Sequence, residues 1–225
     1  MNEQPPITVL VVDDHEVVRR GFMRLLESEP GFAIVGEAGD GKSAVRMARE
    51  LQPDVVLMDI RMPELDGIEA TRQVTQMGHT RVVVLTTFDL DEYVYDALIA
   101  GASGFLLKEC SPDELIQSVN AAAHGSALLS ARLTGRLVEN FVRRPTNSTA
   151  ADRRLANLSP RERDVFQLVA RGLSNAEIAE RLVLGETTVK SHITSMLTKL
   201  RLRDRVQAVV LAYETGAVKP GETAD

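Results

Sequence analysis

Residues that could bind a metal ion or a phosphoryl group follow separate apolar runs of the sequence. Asp13 and Asp14 follow one run and Asp59 ends a second, while Thr86 and Lys108 come at the ends of two more. Carboxylate oxygens suit a hard cation such as Mg²⁺, and an ammonium group and a hydroxyl suit phosphoryl oxygens. If these side chains meet, they predict attack of a carboxylate on a phosphoryl donor, which leaves an acyl phosphate on the protein.

Asp59 is the expected acceptor because of the run that precedes it. Val55–Met58 is continuously apolar, and Pro63 and Gly67 follow soon after. A continuous apolar run bounded by turn residues is typical of a strand that is buried on both faces of a parallel sheet. The carboxylate then lies at the carboxyl end of its strand, where open α/β sheets place their chemistry.

The elements around Asp59 alternate between strands and helices over residues 1–125. Expected strands are Ile7–Val12, Phe32–Ala38, Val55–Asp59, Arg81–Thr86 and Gly104–Leu107. Expected helices are Glu16–Glu27, one that follows the turn Gly39–Gly41 and runs through Ala44 to Leu51, Gly67–Gln76, Asp91–Ala100 and a last one that Ser111 caps and Pro112 begins. Five alternations predict an α/β fold with a doubly wound, five-stranded parallel sheet of the flavodoxin-like kind.

The carboxyl ends of such strands lie along one edge, so the candidate residues should converge there, together with Thr87. Acids at strand ends are often solvated turn residues, and this alternative applies to any one of them. The whole set at the ends of four strands favours a site, and neighbouring carboxylates would need a cation to offset their repulsion.

Four segments resemble the receiver domain of two-component response regulators: VLVVDDHEVVR, VVLMDIRMPELDG, VVVLTTF and GASGFLLKE. The resemblance implies that Asp59 accepts the phosphoryl group and that Asp13, Asp14, Asp59 and the carbonyl of Arg61 hold Mg²⁺. It also implies that Thr86 is the switch hydroxyl, that Lys108 pairs with the phosphoryl charge, and that Phe105 repacks on activation. Phe105 could equally be an ordinary core residue. Glu109 stands where relatives often have proline, so a cis peptide after Lys108 is not expected.

Composition separates the two halves of the chain. The net charge of −6 divides into −11 over residues 1–125 and +5 over residues 126–225, which suggests nucleic acid as a partner of the second half. No apolar run is long enough to span a membrane, and the N-terminus does not resemble a signal peptide. The single cysteine, Cys110, fits a reducing compartment. We therefore expect a cytoplasmic protein without membrane association.

Residues 126–154 are expected to connect two domains. Ala131–Val142 has apolar residues at helical spacing, which predicts a linking helix. Arg143–Asp152 loses hydrophobic residues altogether, which predicts a flexible tether.

Residues 155–225 predict a small all-α domain. Ser159 and Ser174 each precede a glutamate by three residues, so two capping boxes open successive helices. A third helix follows Gly185 over Glu186–Leu200, and a fourth spans about Asp204–Glu214. Two helices joined by a tight turn that contains glycine form a helix-turn-helix pattern.

The third of these helices carries the residues expected to contact DNA. Its outward face is predicted to hold Thr187, Thr188, Lys190, Ser191, Thr194 and Ser195, with Lys199, Arg201, Arg203 and Arg205 beyond. Short donors and basic groups can bind phosphates and base edges if the helix enters a major groove. The alternative is an ordinary solvated helix face.

The segment that runs from LSPRERDVF through TTVKSHITSMLTKLRLRDRVQAV closely resembles the LuxR-type DNA-binding domain, which would cover about residues 155–215. The whole chain resembles a NarL/FixJ-type response regulator. The resemblance implies that Thr187, Lys190, Ser191 and Thr194 lie nearest the bases, and that Thr188 and Lys199 lie on the backbone.

We therefore predict a transcription regulator, not an enzyme, that is phosphorylated at Asp59 by a sensor histidine kinase and binds double-stranded promoter DNA. Phosphorylation is expected to favour a homodimer, with the helix around Val206–Leu211 as a candidate contact. One rival is a phosphohydrolase that uses Asp59 as its nucleophile, although Arg61 stands where such enzymes carry a second acid. The other is a constitutive DNA binder whose receiver only dimerises.

Overall fold

The computed structural model describes residues 5–86, 91–126 and 155–218. The chain divides into two compact units, residues 1–127 and 128–225, and each is described by itself. The predicted linking helix, the predicted tether and Thr87 lie outside the described residues.

The first unit is a parallel sheet covered by helices on both faces. Its elements in chain order are β1 (Ile7–Val12), α1 (Glu16–Glu27), β2 (Phe32–Ala38), α2 (Gly41–Leu51), β3 (Val55–Asp59), α3 (Gly67–Gln76), β4 (Arg81–Thr86), α4 (Asp91–Ile99), β5 (Gly104–Leu107) and α5 (Pro112–Ala123). The five strands pair in parallel in the order β2-β1-β3-β4-β5. The predicted fold class is confirmed, and α4 ends one residue earlier than expected.

Alternation along the buried strands builds two separate cores, because successive side chains of a strand point to opposite faces. Leu10, Val56 and Val84 belong to one core, which also holds residues of α2 and α3. Val9, Leu57 and Leu85 belong to the other, which holds residues of α1 and α5. All five residues of β3 are buried, as a strand covered on both faces requires.

The second unit is helical in its described residues. Its helices are α6 (Pro160–Ala170), α7 (Asn175–Leu182), α8 (Glu186–Leu200) and α9 (Arg205–Glu214). Ser159 and Ser174 form the two predicted capping boxes, and Gly185 is the N-cap of α8 without a side-chain hydrogen bond. The buried side chains of the first three helices include Phe166, Ile178, Val189, Ile193 and Met196.

Among the described residues, no helix combines the length and apolar character needed to cross a lipid bilayer. The peptide bond after Lys108 is trans, as the glutamate at position 109 predicted.

Candidate phosphoryl-acceptor site and candidate DNA-binding helix

The carboxyl ends of four adjacent strands bring the predicted site residues of the first unit together. The strand order reverses between β1 and β3, and this switch point is where such sheets form a crevice for ligands. Asp13 follows β1 and Asp59 ends β3, so one carboxylate lies on each side of the reversal. Thr86 ends β4, and Lys108 follows β5.

Lys108 joins the two carboxylates. Its Nζ lies 2.8 Å from Asp13 Oδ2 and 2.9 Å from Asp59 Oδ2. Asp13 is fully buried and Asp59 is 4% exposed, so these contacts form away from bulk water. Asp13 Oδ2 nevertheless accepts no hydrogen bond of regular geometry from the described residues, so its contact with Lys108 is best described as an ion pair.

The site holds one positive charge against two negative ones, and the pKa values reflect this imbalance. Burial raises the pKa of Asp59 above its ordinary value, and the nearby charge of Asp13 raises it further. The hydrogen bond from Lys108 and the one from the backbone amide of Arg61 act in the opposite direction without cancelling the rise. Burial alone would lower the pKa of Lys108, but its contacts with Asp13 and Asp59 outweigh that effect and the pKa is raised.

The loop after β1 adds ligand atoms for a cation. Asp13, Asp14 and His15 each offer one ligand atom, and these atoms all lie within 4.8 Å of one another. His15 Nδ1 is 2.6 Å from Asp14 Oδ1, and the His15 amide donates to Asp13 Oδ1 at 2.9 Å. A buried carboxylate oxygen that lacks a well-aligned donor, beside a second carboxylate, fits a hard divalent cation.

Arg19 of α1 supports this loop, and the sequence reasoning missed it. Its guanidinium donates to the backbone carbonyl of Asp13 at 2.7 Å and to Glu37 Oε2, at the end of β2, also at 2.7 Å. Its side chain is only 14% exposed. The sequence signal that could have found Arg19 is its position: it is a basic residue in the first turn of the helix that follows Asp13 and Asp14.

The loop after β3 packs against the end of that strand through a glycine. A Cβ built on Gly67 would lie 1.8 Å from the carbonyl oxygen of Asp59, so a side chain cannot fit there without a backbone shift. The Gly67 amide donates to the Ile60 carbonyl at 2.8 Å. In the same loop the Arg61 guanidinium lies 5.6 Å from the ring centroid of Tyr93 on α4, which is a cation–π contact.

The two predicted switch residues occupy neighbouring strands. Thr86 is 6% exposed, and its carbonyl accepts from the Lys108 amide at 2.8 Å. Phe105 pairs with Val84 in the sheet and is partly buried against the core that includes α2 and α3. Their movement on activation stays a prediction.

The predicted DNA-contacting face of α8 is exposed, apart from one residue. Thr187, Thr188, Lys190, Ser191 and Thr194 are all exposed. The hydroxyls of Ser191 and Thr194 donate to carbonyls four residues earlier, at 3.0 Å each, so their oxygens can still accept hydrogen bonds. Ser195 was wrongly placed on this face, because it is half-buried and donates to Glu162 of α6 at 2.6 Å.

Two basic residues near α8 are engaged within the unit. Lys199 Nζ contacts both carboxylate oxygens of Glu162, at 2.7 and 2.6 Å. Arg205 was wrong as a candidate phosphate contact, since it is 4% exposed and its guanidinium donates to Asn175 Oδ1 at 2.9 Å and to the Leu173 carbonyl. Its role is to hold the turn between α6 and α7.

The candidate dimer contact on α9 is not an open surface in this chain. Val206, Val209, Val210 and Leu211 are each at most 5% exposed. The burial of these four side chains argues against them as the dimer contact, and dimerisation itself stays a prediction.

Comparison with known proteins agrees with this geometry. Residues 9–120 match the family profile "Response regulator receiver domain", and residues 156–212 match "Bacterial regulatory proteins, luxR family". The chain belongs to the two-component response regulators that carry a LuxR-type DNA-binding domain. It is therefore a DNA-binding response regulator that controls transcription.

Similar proteins cover nearly the whole chain. An uncharacterized transcriptional regulatory protein of Bacillus subtilis, YxjL, is 40% identical over 95% of this chain and 98% of its own length. The nitrate/nitrite response regulator NarL of Escherichia coli K12 is 37% identical with the same coverage. The crystal structure of the response regulator ChrA, from a heme-sensing two-component system, matches with a TM-score of 0.53 and 33% identity, covering 96% of this chain and 100% of that one.

Proposed function

We propose that Asp59 accepts a phosphoryl group from a partner sensor histidine kinase and that this modification controls dimerisation and promoter binding. The observation that carries the proposal is the buried bridge in which Lys108 Nζ contacts both Asp13 and Asp59 at the switch point of the sheet. An ammonium group held beside the acceptor is placed to pair with a phosphoryl oxygen once the acceptor is modified.

The transfer is a substitution at phosphorus. An Asp59 carboxylate oxygen forms the new P–O bond, the P–N bond of a phosphohistidine donor breaks, and the leaving imidazole takes up a proton. Lys108 then pairs with the added charge, the Thr86 hydroxyl follows the phosphoryl oxygens, and Phe105 repacks. Thr86 ends the strand next to that of Asp59, and Lys108 Nζ lies 2.9 Å from Asp59 Oδ2, which supports these roles.

Mg²⁺ is the proposed cofactor, held by Asp13, Asp14, Asp59 and the backbone carbonyl of Arg61. When bound, it offsets the charge that gathers on the phosphoryl oxygens during transfer. The excess of carboxylates over ammonium groups in the site supports a cation there.

Intact-mass spectrometry after incubation with a phosphoryl donor and Mg²⁺ tests the acceptor. We expect one added phosphate in the wild-type chain and none in Asp59→Asn. Asp113→Asn, an exposed acid at the start of α5, is the matched control and should be modified as the wild type is. Undiminished phosphate in Asp59→Asn would contradict the proposal.

For DNA, we propose that α8 enters the major groove with Thr187, Lys190, Ser191 and Thr194 nearest the bases and Thr188 on the backbone. Their common exposure on one helix supports this arrangement. A duplex enriched by the wild-type protein from a random-sequence pool provides the probe. Lys190→Ala should weaken binding and reduce the slope of log affinity against log salt by about one for each bound protomer. Lys42→Ala removes the same charge from the receiver unit and should leave the slope unchanged.

The link between the two units is tested by binding in the presence and absence of beryllofluoride, a phosphoryl mimic. We expect the mimic to raise both DNA affinity and the dimer fraction, through its different affinity for the two states. Equal affinity and equal oligomeric state in both conditions would favour a constitutive DNA binder.

A further inference from the structure

The side chain of Glu162 connects α6 to the DNA-binding helix. Its carboxylate accepts from the Ser195 hydroxyl at 2.6 Å and from Lys199 Nζ at 2.6 and 2.7 Å, and it also accepts from the Ser159 amide at 2.8 Å. Glu162 is 4% exposed. The hydrogen bond from Lys199, followed by the one from Ser195, lowers the pKa of Glu162 to about 2, so the group is ionised at neutral pH.

The spacing of Ser195 and Lys199 along α8 lets the Glu162 carboxylate fix the position of α8 against α6. Ser195 and Lys199 are four residues apart and therefore lie one helical turn apart on the same side of α8. Two attachment points along the axis restrain both the rotation of the helix and its sliding past α6. The carboxylate is itself held by the capping box at the start of α6, which limits its own movement. The Lys199 side chain is 42% exposed, as Thr194 and Lys190 are exposed, so its assignment rests on its contacts with Glu162 and not on burial.

The same contacts conflict with a phosphate-binding role for Lys199. If the ammonium left to bind DNA, the Glu162 carboxylate would remain buried with an uncompensated charge, which is strongly unfavourable. A solvated phosphate offers the ammonium no comparable gain, because screening by salt weakens contacts at the surface.

We propose that Glu162 and Lys199 are positioning residues that hold α8 against α6, and that Lys199 does not bind the DNA backbone. This inference rests on the DNA-binding function of the LuxR-type unit. It departs from the role that the family resemblance predicted for Lys199, and it assigns Glu162 a part in DNA binding although the residue does not touch DNA.

The test measures affinity against salt concentration for the full-length protein with beryllofluoride and the enriched duplex. Lys199→Met should weaken binding about tenfold without changing the salt slope, while Lys190→Met should reduce the slope by about one for each bound protomer. Glu162→Gln removes a negative charge, which on electrostatic grounds alone should tighten binding to DNA. Positioning predicts the opposite sign, a loss of about tenfold.

Two further variants separate positioning from general destabilisation. The double variant Glu162→Gln/Lys199→Met should bind about as well as either single variant, because both changes remove one restraint. Lys199→Arg, which keeps the ion pair, should restore most of the affinity. If Glu162→Gln does not fold by circular dichroism, Ser195→Ala removes one bond to the carboxylate and should still weaken binding about threefold at an unchanged slope.

A reduced slope in Lys199→Met, or a Glu162→Gln protein that binds as tightly as the wild type, would overturn the inference. Failure of the wild-type protein to bind the duplex in any state would instead count against the proposed DNA contacts.

Discussion

Replacing Lys108 with methionine should expose the electrostatic imbalance of the acceptor site. The substitution leaves Asp13 and Asp59 buried with no ammonium between them. The two oxygens contact the same nitrogen and lie within about 6 Å of each other, so at an effective dielectric constant of about 20 they repel by about 3 kcal/mol, and only Lys108 offsets this repulsion. Removing one partner of a buried ion pair leaves the remaining charge uncompensated and costs about 3 to 5 kcal/mol. We expect Lys108→Met to lower the free energy of unfolding of the receiver unit by about 3 kcal/mol at pH 7.

Two conditions should reduce that loss. Millimolar Mg²⁺ should restore much of it, because a cation between the carboxylates replaces the ammonium. Acid should also reduce it: burial already raises the pKa of Asp59, so in the folded state its ionisation is unfavourable. As the pH falls from the raised folded-state pKa toward the ordinary value of an unfolded aspartate, the folded state takes up the proton first. The stability that ionisation of Asp59 had cost is regained over that pH range.

Urea unfolding of the full-length protein, with hydrogen exchange of the β1 and β3 amides to assign the loss to the receiver unit, measures the effect. Lys42→Met is the matched control, because its Nζ lies 2.9 Å from Glu64 Oε2 but both side chains are more than 60% exposed. It should change little, as surface ion pairs do. Equal stabilities of Lys108→Met and Lys42→Met, with no response to Mg²⁺, would refute the reasoning.

Three further predictions concern other residues. The folded-state pKa of Glu162 is about 2 against an ordinary 4.5, so its stabilisation is complete above pH 4.5 and is lost as the pH falls toward 2. Glu162→Gln should remove about 2 kcal/mol of that acid dependence, as measured by circular dichroism. Arg19→Ala should weaken Mg²⁺ binding about tenfold by calorimetry, and Glu37→Ala should weaken it less, because only the arginine contacts the Asp13 carbonyl. Gly67→Ala should cost at least about 2 kcal/mol in thermal unfolding, whereas an added methyl at Gly21 meets no atom within 4 Å and should stabilise α1.

Local patterns in the sequence predicted the elements well, because each is set by nearby residues. The β3 run is continuously apolar and its structure is buried throughout, and the Ser159 and Ser174 capping boxes form where the serine-to-glutamate spacing indicated. Convergence of Asp13, Asp59 and Lys108 also followed from sequence, since parallel strands that alternate with helices place their carboxyl ends along one edge.

Side-chain partners that are distant in sequence could not be predicted in this way. Lys199 and Glu162 are separated by 37 positions, and no periodicity links them. Arg205 follows a basic stretch next to α8, where spacing does not distinguish a solvated arginine from one that closes a turn. Both cases involve long side chains whose direction is decided by packing between helices.

The two ion-pair clusters differ in stoichiometry, and this difference explains why one suits a switch and the other an anchor. Around Glu162, a single carboxylate accepts from one ammonium, one hydroxyl and one backbone amide, so its charge is compensated. A different arrangement of these groups would therefore be less favourable. Around Lys108, one ammonium serves two buried carboxylates, so neither is fully compensated. A phosphoryl group on Asp59 would add negative charge to a site that already lacks positive charge. Lys108 would then have to divide its contacts differently between Asp59 and Asp13. The excess of carboxylates over ammonium groups is therefore consistent with the proposed Mg²⁺ and with a site whose contacts would change on phosphorylation.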